Sequence, residues 1–166
     1  MSKELLEWME MIKKFLPKNL GKVLDVGSLD INGSAKEVYT EFESYTGIDM
    51  RPGKGVDIVI NGHDLVSKFG ENSFDTVVCM NTMEHDDKFW LTQGAINKVL
   101  KKGGFYVFSA PGFKFPFHPH PRDYWRMSPQ AVREFIFQGY EILDLQEYLK
   151  HKGMDIALIC SIGKKL

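Results

Sequence analysis

The stretch Lys22-Val23-Leu24-Asp25-Val26-Gly27-Ser28-Leu29-Asp30-Ile31-Asn32-Gly33-Ser34 decides how this chain is read. Its first five residues form a short apolar run of the kind found in a strand buried on both faces. A turn bearing Gly and Asn follows, and a short helix is expected over roughly Ala35 to Phe42. Gly27, having no Cβ, lets the backbone approach a ligand closely. The helix start beyond it offers free N–H groups. Asp25 lies near the end of the strand, where a carboxylate can face a cationic or hydroxyl-bearing ligand.

The pattern repeats outward from this unit. Tyr45–Ile48 reads as a second strand ending at Asp49, 24 residues after Asp25 (49 − 25). An acid at that place in a nucleotide-binding βαβ unit accepts hydrogen bonds from ribose hydroxyls. Asp57–Ile60 reads as a third strand. The link before it, Met50–Val56, is too short and too rich in Gly and Pro for a crossover helix. Asp75–Met80 and Phe105–Ala110 are further strands, with a helix over Phe89–Leu100 between them and a break at Lys102-Gly103-Gly104. Upstream, Leu5, Met9, Ile12 and Leu16 stripe an amphipathic helix that Ser2 can cap and Pro17 ends. Downstream, Ser128-Pro129 opens a helix with an apolar stripe of Val132, Phe135 and Ile136, closed by Gly139. Glu141–Tyr148 and Asp155–Ile162 complete the strands. The expected architecture is α/β: a Rossmann-like, mostly parallel sheet with helices on both faces and an antiparallel C-terminal strand. Ligands of such sheets sit at the carboxyl ends of the strands.

Composition narrows the function classes. The 166 residues carry 21 Lys+Arg against 22 Asp+Glu, a net charge of −1. That length suits one domain over residues 1–166. The charge balance lacks the basic excess of a dedicated nucleic-acid binder. No run approaches the ~20 apolar residues of a membrane helix. The N-terminus does not read as a secretory signal. Cys79 and Cys160 cannot make a disulfide framework; as buried thiols they suit a reducing cytoplasm.

Five ordered stretches together resemble the class I S-adenosylmethionine-dependent methyltransferases, of the small type-11-like group. They are Val23–Ser34, Tyr45–Arg51, Val56–Leu65, Phe74–His85 and Leu100–Pro111, over roughly residues 20 to 115. The resemblance implies that Asp25, Gly27, Ser28 and the turn hold the methionine part of the cofactor. Asp49 would bind the ribose, with Met50 and Arg51 beside the adenosine. His63, Asp64 and Leu65 would border the adenine, and Asn81, Thr82 and Met83 would line the cofactor near its methyl group. The first stretch departs from the family pattern, since Leu29 and Ile31 stand where glycines are usual. The turn is therefore expected to be reshaped, with Asp30 and Asn32 as extra polar contacts. The same departure argues against a dinucleotide site, whose glycines let the backbone reach a pyrophosphate; S-adenosylmethionine has no phosphates.

Two further segments bear on the reaction. Glu84-His85 follows the fourth strand and reads either as a base or as a cap on the next helix. Pro111–Arg126 is a loop with five aromatics, two histidines, two arginines and a lysine. Placed after the fifth strand, it reads as a substrate-recognition loop or as a stiffened cover for the sheet. His85, His120 and Tyr124 are the candidate bases, needed only if the acceptor still holds its proton. The pair His118/His120 lacks a clear third and fourth ligand, and adding His85 or Glu84 has no spacing to support it, so no metal is expected. A small-molecule or glycan acceptor fits better than a folded RNA; oligomeric state is not legible. A non-catalytic, partner-binding domain and a nicotinamide-dependent oxidoreductase are the competing readings.

Overall fold

The computed structural model describes residues 3–119, 121–151 and 154–166, without side chains over 147–157. Ser2 and His120 lie outside the described residues. Seven strands form one sheet in the order β3-β2-β1-β4-β5-β7-β6. They are β1 (Lys22–Val26), β2 (Ser44–Asp49), β3 (Ile58–Val59), β4 (Phe74–Met80), β5 (Leu100–Pro111), β6 (Tyr140–His151) and β7 (Met154–Lys165). The pairings from β3 through β5 are all parallel, and β7 runs antiparallel to both β5 and β6. The α/β architecture expected from the sequence is the one observed.

Alternation along the strands builds two cores. Leu24, Val26, Val77, Cys79, Tyr106 and Phe108 face one side. There they meet α2 (Leu65–Phe69), α3 (Phe89–Val99) and a final helix, α4 (Pro129–Ala131), that continues as a π turn over Val132–Ile136. Gln93 of α3 locks this layer. It donates to the Ile136 carbonyl at 2.9 Å and accepts from the Tyr106 hydroxyl at 3.1 Å. Val23, Val78, Val107, Cys160 and Ile162 face the other side, against α1 (Lys3–Ile12) and the Ala35–Tyr39 segment. The indole N–H of Trp8 on α1 donates to Asp144 on β6 at 2.9 Å. Both cysteines are free and buried.

Several elements differ in extent from the sequence reading. The helix expected over Ala35–Phe42 is a single 3-10 turn, Ala35–Glu37, capped by the Ser34 hydroxyl. A 3-10 turn takes over from α1 at Lys13, so the first helix stops well before Pro17. The third strand keeps only two residues. The Lys102-Gly103-Gly104 break is a bulge inside β5, where the register with β4 shifts between Phe74 and Thr76. Phe135 is exposed on the π turn, edge-on to Phe89, rather than buried. The helix α2 was not expected. Ser128 and Pro129 do open α4, the Ser128 hydroxyl accepting the Ala131 N–H at 3.0 Å.

Ile96 of α3 is fully buried in the first core. Its truncation removes apolar contact and leaves a cavity, so Ile96→Ala should cost about 2–5 kcal/mol in urea unfolding.

Candidate active site

The strand order reverses between β1 and β4, and the connections leaving these two strands diverge. A crevice opens at that point above the carboxyl ends. Here it is a cleft of about 840 Å³, within the ordinary range for small-molecule sites. Gly27 sits at its base with φ +79°, and a Cβ there would stand 2.0 Å from the Thr82 hydroxyl. Its N–H and that of Ser28 both donate to the Ile48 carbonyl at 2.9 Å. Thr82 in turn donates its hydroxyl to the Val26 or Met80 carbonyl, each 3.1 Å away. Asn81 adopts positive φ and accepts from the Ser109 hydroxyl at 2.9 Å.

Two carboxylates line this end of the cleft. Asp25 is buried and accepts from the Tyr45 hydroxyl at 2.7 Å. Burial raises its pKa from 3.8 to about 6, the Tyr45 hydrogen bond restrains the rise, and the Asp49 charge adds to it. The ionised form is therefore disfavoured in the folded protein. Stability is greatest below pH 4 as far as this group is concerned, and roughly 3 kcal/mol is lost as the pH climbs from about 4 through about 6. A cationic ligand beside Asp25 offsets that loss. Asp49 holds the Arg51 N–H on its Oδ1 at 2.9 Å and borders the cleft. The Ser28 hydroxyl, also at the cleft, is buried with no hydrogen-bond partner.

The expected cofactor residues fall into two groups. Asp25, Gly27, Ser28, Asn32, Asp49, Met50, Arg51, Asn81 and Thr82 line the cleft. Asp30, His63, Asp64, Leu65 and Met83 do not. Asp30 pairs with Lys54 at 2.6 Å and accepts the Gly33 N–H at 2.8 Å, bracing the turn from within. Leu65 and Met83 are core residues. The His63 ring is held by Asp86 at 3.1 Å, and its neighbours Asn61 and Gly62 reach the cleft instead. Leu29 packs against Gly53, where a Cβ would sit 2.3 Å from it, so the Met50–Val56 link folds against the reshaped turn.

The aromatic loop is a braced strap. Arg126 donates to both oxygens of Asp123, at 2.5 and 2.6 Å, and to the carbonyls of Phe115 and Pro116. Asp123 also accepts the His118 N–H at 2.8 Å. The Arg126 hydrogen bonds hold the Asp123 carboxyl well below the usual carboxylate range. The Trp125 indole donates to the Asp86 carbonyl at 2.8 Å and packs edge-on to Phe89 and Trp90. Phe115, His118, Pro121, Arg122 and Tyr124 form a wall of the cleft, while Phe113 and Phe117 are exposed. The loop is thus a stiffened cover, and part of it borders the cleft.

Of the candidate bases, Tyr124 is on the wall, its hydroxyl accepting from Arg122 at 2.9 Å. His85 is also on the wall, but its Nδ1 is engaged by the Arg122 carbonyl. At the head of α3, Asp86 rather than Glu84 or His85 accepts backbone and hydroxyl donors, from Lys88 at 2.9 Å and Thr92 at 2.6 Å. Glu84 is buried beneath His85 and His118. The sequence offers His85 and Glu84 as additions to the His118 pair but no spacing to support them, because His118 lies 34 residues after Glu84 (118 − 84), across β5.

Residues 24–108 match the type-11 family of methyltransferase domains. The chain belongs to that family. It is an enzyme of the S-adenosylmethionine-dependent methyltransferase kind. The fold is also that of a 1,6-didemethyltoxoflavin-N1-methyltransferase from Burkholderia thailandensis, solved with 1,6-didemethyltoxoflavin and S-adenosylhomocysteine bound. That structure has a TM-score of 0.77 and 14% identity, over 99% of this chain and 79% of that one. An S-adenosylmethionine-dependent methyltransferase from Mesorhizobium loti aligns with a TM-score of 0.69 and 13% identity, over 96% of this chain and 98% of that one. The [4+2]-cyclase SpnF aligns at 0.73 and 13%, over 96% and 81%. No curated protein matches in sequence. The cleft of this methyltransferase fits its cofactor: it offers two carboxylates, an orphaned buried hydroxyl and a backbone approach at Gly27, and no phosphate cradle is required.

Gly27→Ala should close the cleft base, because both the positive φ and the contact with Thr82 exclude a Cβ. We predict a loss of at least about 1–3 kcal/mol in unfolding from the backbone alone and loss of S-adenosylhomocysteine binding by calorimetry. Arg126→Lys keeps the charge but cannot keep the forked pairing. It should expose residues 112–126 to limited proteolysis while the main unfolding transition persists.

Proposed function

We propose that the chain transfers a methyl group from S-adenosylmethionine to a small-molecule or sugar-type acceptor that enters against the wall of Phe115, Arg122 and Tyr124. The carrying observation is the placing of Asp25 and Asp49 on the same cleft, one buried at its base and one at its edge. The bound cofactor supplies an activated methyl on a sulfonium, which is the difficult part of the chemistry. In this reading Asp49 receives the ribose hydroxyls, with Met50 and Arg51 at the rim. Asp25 answers the positive charge of the methionine end, and Ser28 and Asn32 add polar contacts there. Asn81 and Thr82 fix the floor near the reacting centre.

The protein's work is then alignment of an acceptor atom with the methyl and the sulfur, which can supply much of the rate gain. Tyr124 and Phe115 present flat faces on which a ring or sugar can stack. Arg122 offers charge to an anionic acceptor. His85, with Nδ1 donating to the Arg122 carbonyl, has Nε2 as its one nitrogen for accepting a proton. Among the described residues no helix is long and apolar enough to cross a membrane. The two buried thiols fit a cytoplasmic setting, and residues 1–166 act in this reading as one catalytic domain.

Two measurements test it. Calorimetry should show S-adenosylhomocysteine binding that falls about 10- to 100-fold in Asp49→Ala, the worth of a hydrogen bond to a charged group. Absence of binding to the folded wild type would contradict the reading. Because burial lifts the Asp25 pKa to about 6, binding of S-adenosylhomocysteine, which shares the cofactor's α-ammonium, should tighten from pH 5 to pH 7.5. A flat affinity would remove Asp25 from that role.

A further inference from the structure

The Glu84 side chain is 1% exposed, and neither carboxylate oxygen has a hydrogen-bond partner. A carboxylate so desolvated and unpartnered is costly unless a cation meets it. Arg126, a nearby cation, is committed to Asp123. Two imidazoles turn towards Glu84 instead. His85 Nε2 stands 3.7 Å and His118 Nε2 3.6 Å from Glu84 Oε1. The rings meet edge to face, 5.1 Å between centroids.

These gaps are too long for hydrogen bonds, which run to about 3.2 Å. They are near the ~3.4 Å that separates two ligands bound at ~2.1 Å to one tetrahedral ion. The outer nitrogen of the His85 ring is held as a metal ligand requires, and that of His118 lies beside a carboxylate. The Arg122 carbonyl can only accept, so His85 Nδ1 carries hydrogen, and Nε2 is the nitrogen of the neutral ring that can ligate. His118 Nδ1 stands 3.1 Å from Asp123 Oδ2, though off the line of a good hydrogen bond. Asp123 is itself fixed by Arg126 and the His118 N–H. Ligating histidines characteristically have such partners on the other nitrogen. The Tyr124 N–H donates to the Glu84 carbonyl at 2.7 Å, tying the strap to the turn that carries Glu84.

We propose that Glu84, His85 and His118 bind one divalent transition cation, with an open position facing the cleft. The ligand atoms all lie within 4.8 Å of one another. Two imidazoles and one carboxylate suit zinc, cobalt or iron(II) rather than magnesium or calcium, which prefer oxygen. His85 and His118 both border the cleft, so the open position takes water or an oxygen-bearing ligand, such as an acceptor hydroxyl or carboxylate. The binding claim stands apart from methyl transfer and does not require it.

The test is titration of the chelator-treated full chain with Co2+ alone, read by visible absorption, followed by displacement with Zn2+. One equivalent should give the intense bands of a four-coordinate site, and Zn2+ should abolish them. Glu84→Gln and His118→Ala should each weaken binding at least about tenfold, with circular dichroism showing the metal-free variants folded. Where a variant does not fold, proton NMR of the wild-type cobalt form decides: two shifted imidazole N–H signals are expected. No stoichiometric cobalt spectrum, unchanged affinity in folded variants, or fewer than two such signals would overturn the site. A protonated His118 bridging Glu84 and Asp123 would then account for the cluster, consistent with the upward push that Glu84 exerts on the His118 pKa.

Discussion

The parallel pairing of β1 with β2 on one side and β4 on the other governs what this molecule can bind. Each strand of a parallel sheet delivers its carboxyl end to the same edge, and the chain must leave β1 and β4 in opposite directions. The crevice this creates cannot be filled by the sheet's own connections. Its base is set by one contact, Gly27 against Thr82, where no Cβ fits. Asp25 and Asp49 come to the cleft because their strands pair in register, Asp25 opposite Gly47 and Val26 opposite Ile48.

Against that crevice the loop after β5 supplies a wall. An aromatic, proline-rich loop has little regular hydrogen bonding to define it, so its shape depends on side chains. Arg126 provides them, taking both oxygens of Asp123 and two strap carbonyls. Asp123 passes the constraint to His118, and Tyr124 passes it to Glu84 through the backbone. The loop wall of the cleft is thus braced chiefly by side chains, the Arg126 guanidinium foremost, while the base of the cleft is held by the sheet.

Much of this was legible in the chain because strands buried on both faces leave short apolar runs, and β1, β4 and β5 carry them. The glycine and acids at the strand ends are local features that need no tertiary information. Residues such as Asp30, Leu65 and Met83 sit in the expected stretches but face inward, since the reshaped turn, α2 and the 3-10 turn Met83–His85 direct them away from the cleft. The short 3-10 turn at Ala35 has no periodicity to detect. Glu84 with His118 is a non-local meeting across β5, and only the folded strap brings it about.

The most direct test of the central claim is a crystal structure of the chain with S-adenosylhomocysteine. The account predicts the nucleoside in the cleft above Gly27, ribose hydroxyls on the Asp49 carboxylate and the amino-acid end beside Asp25. A ligand seated elsewhere on the sheet, or a cleft left vacant at saturating ligand, would contradict it.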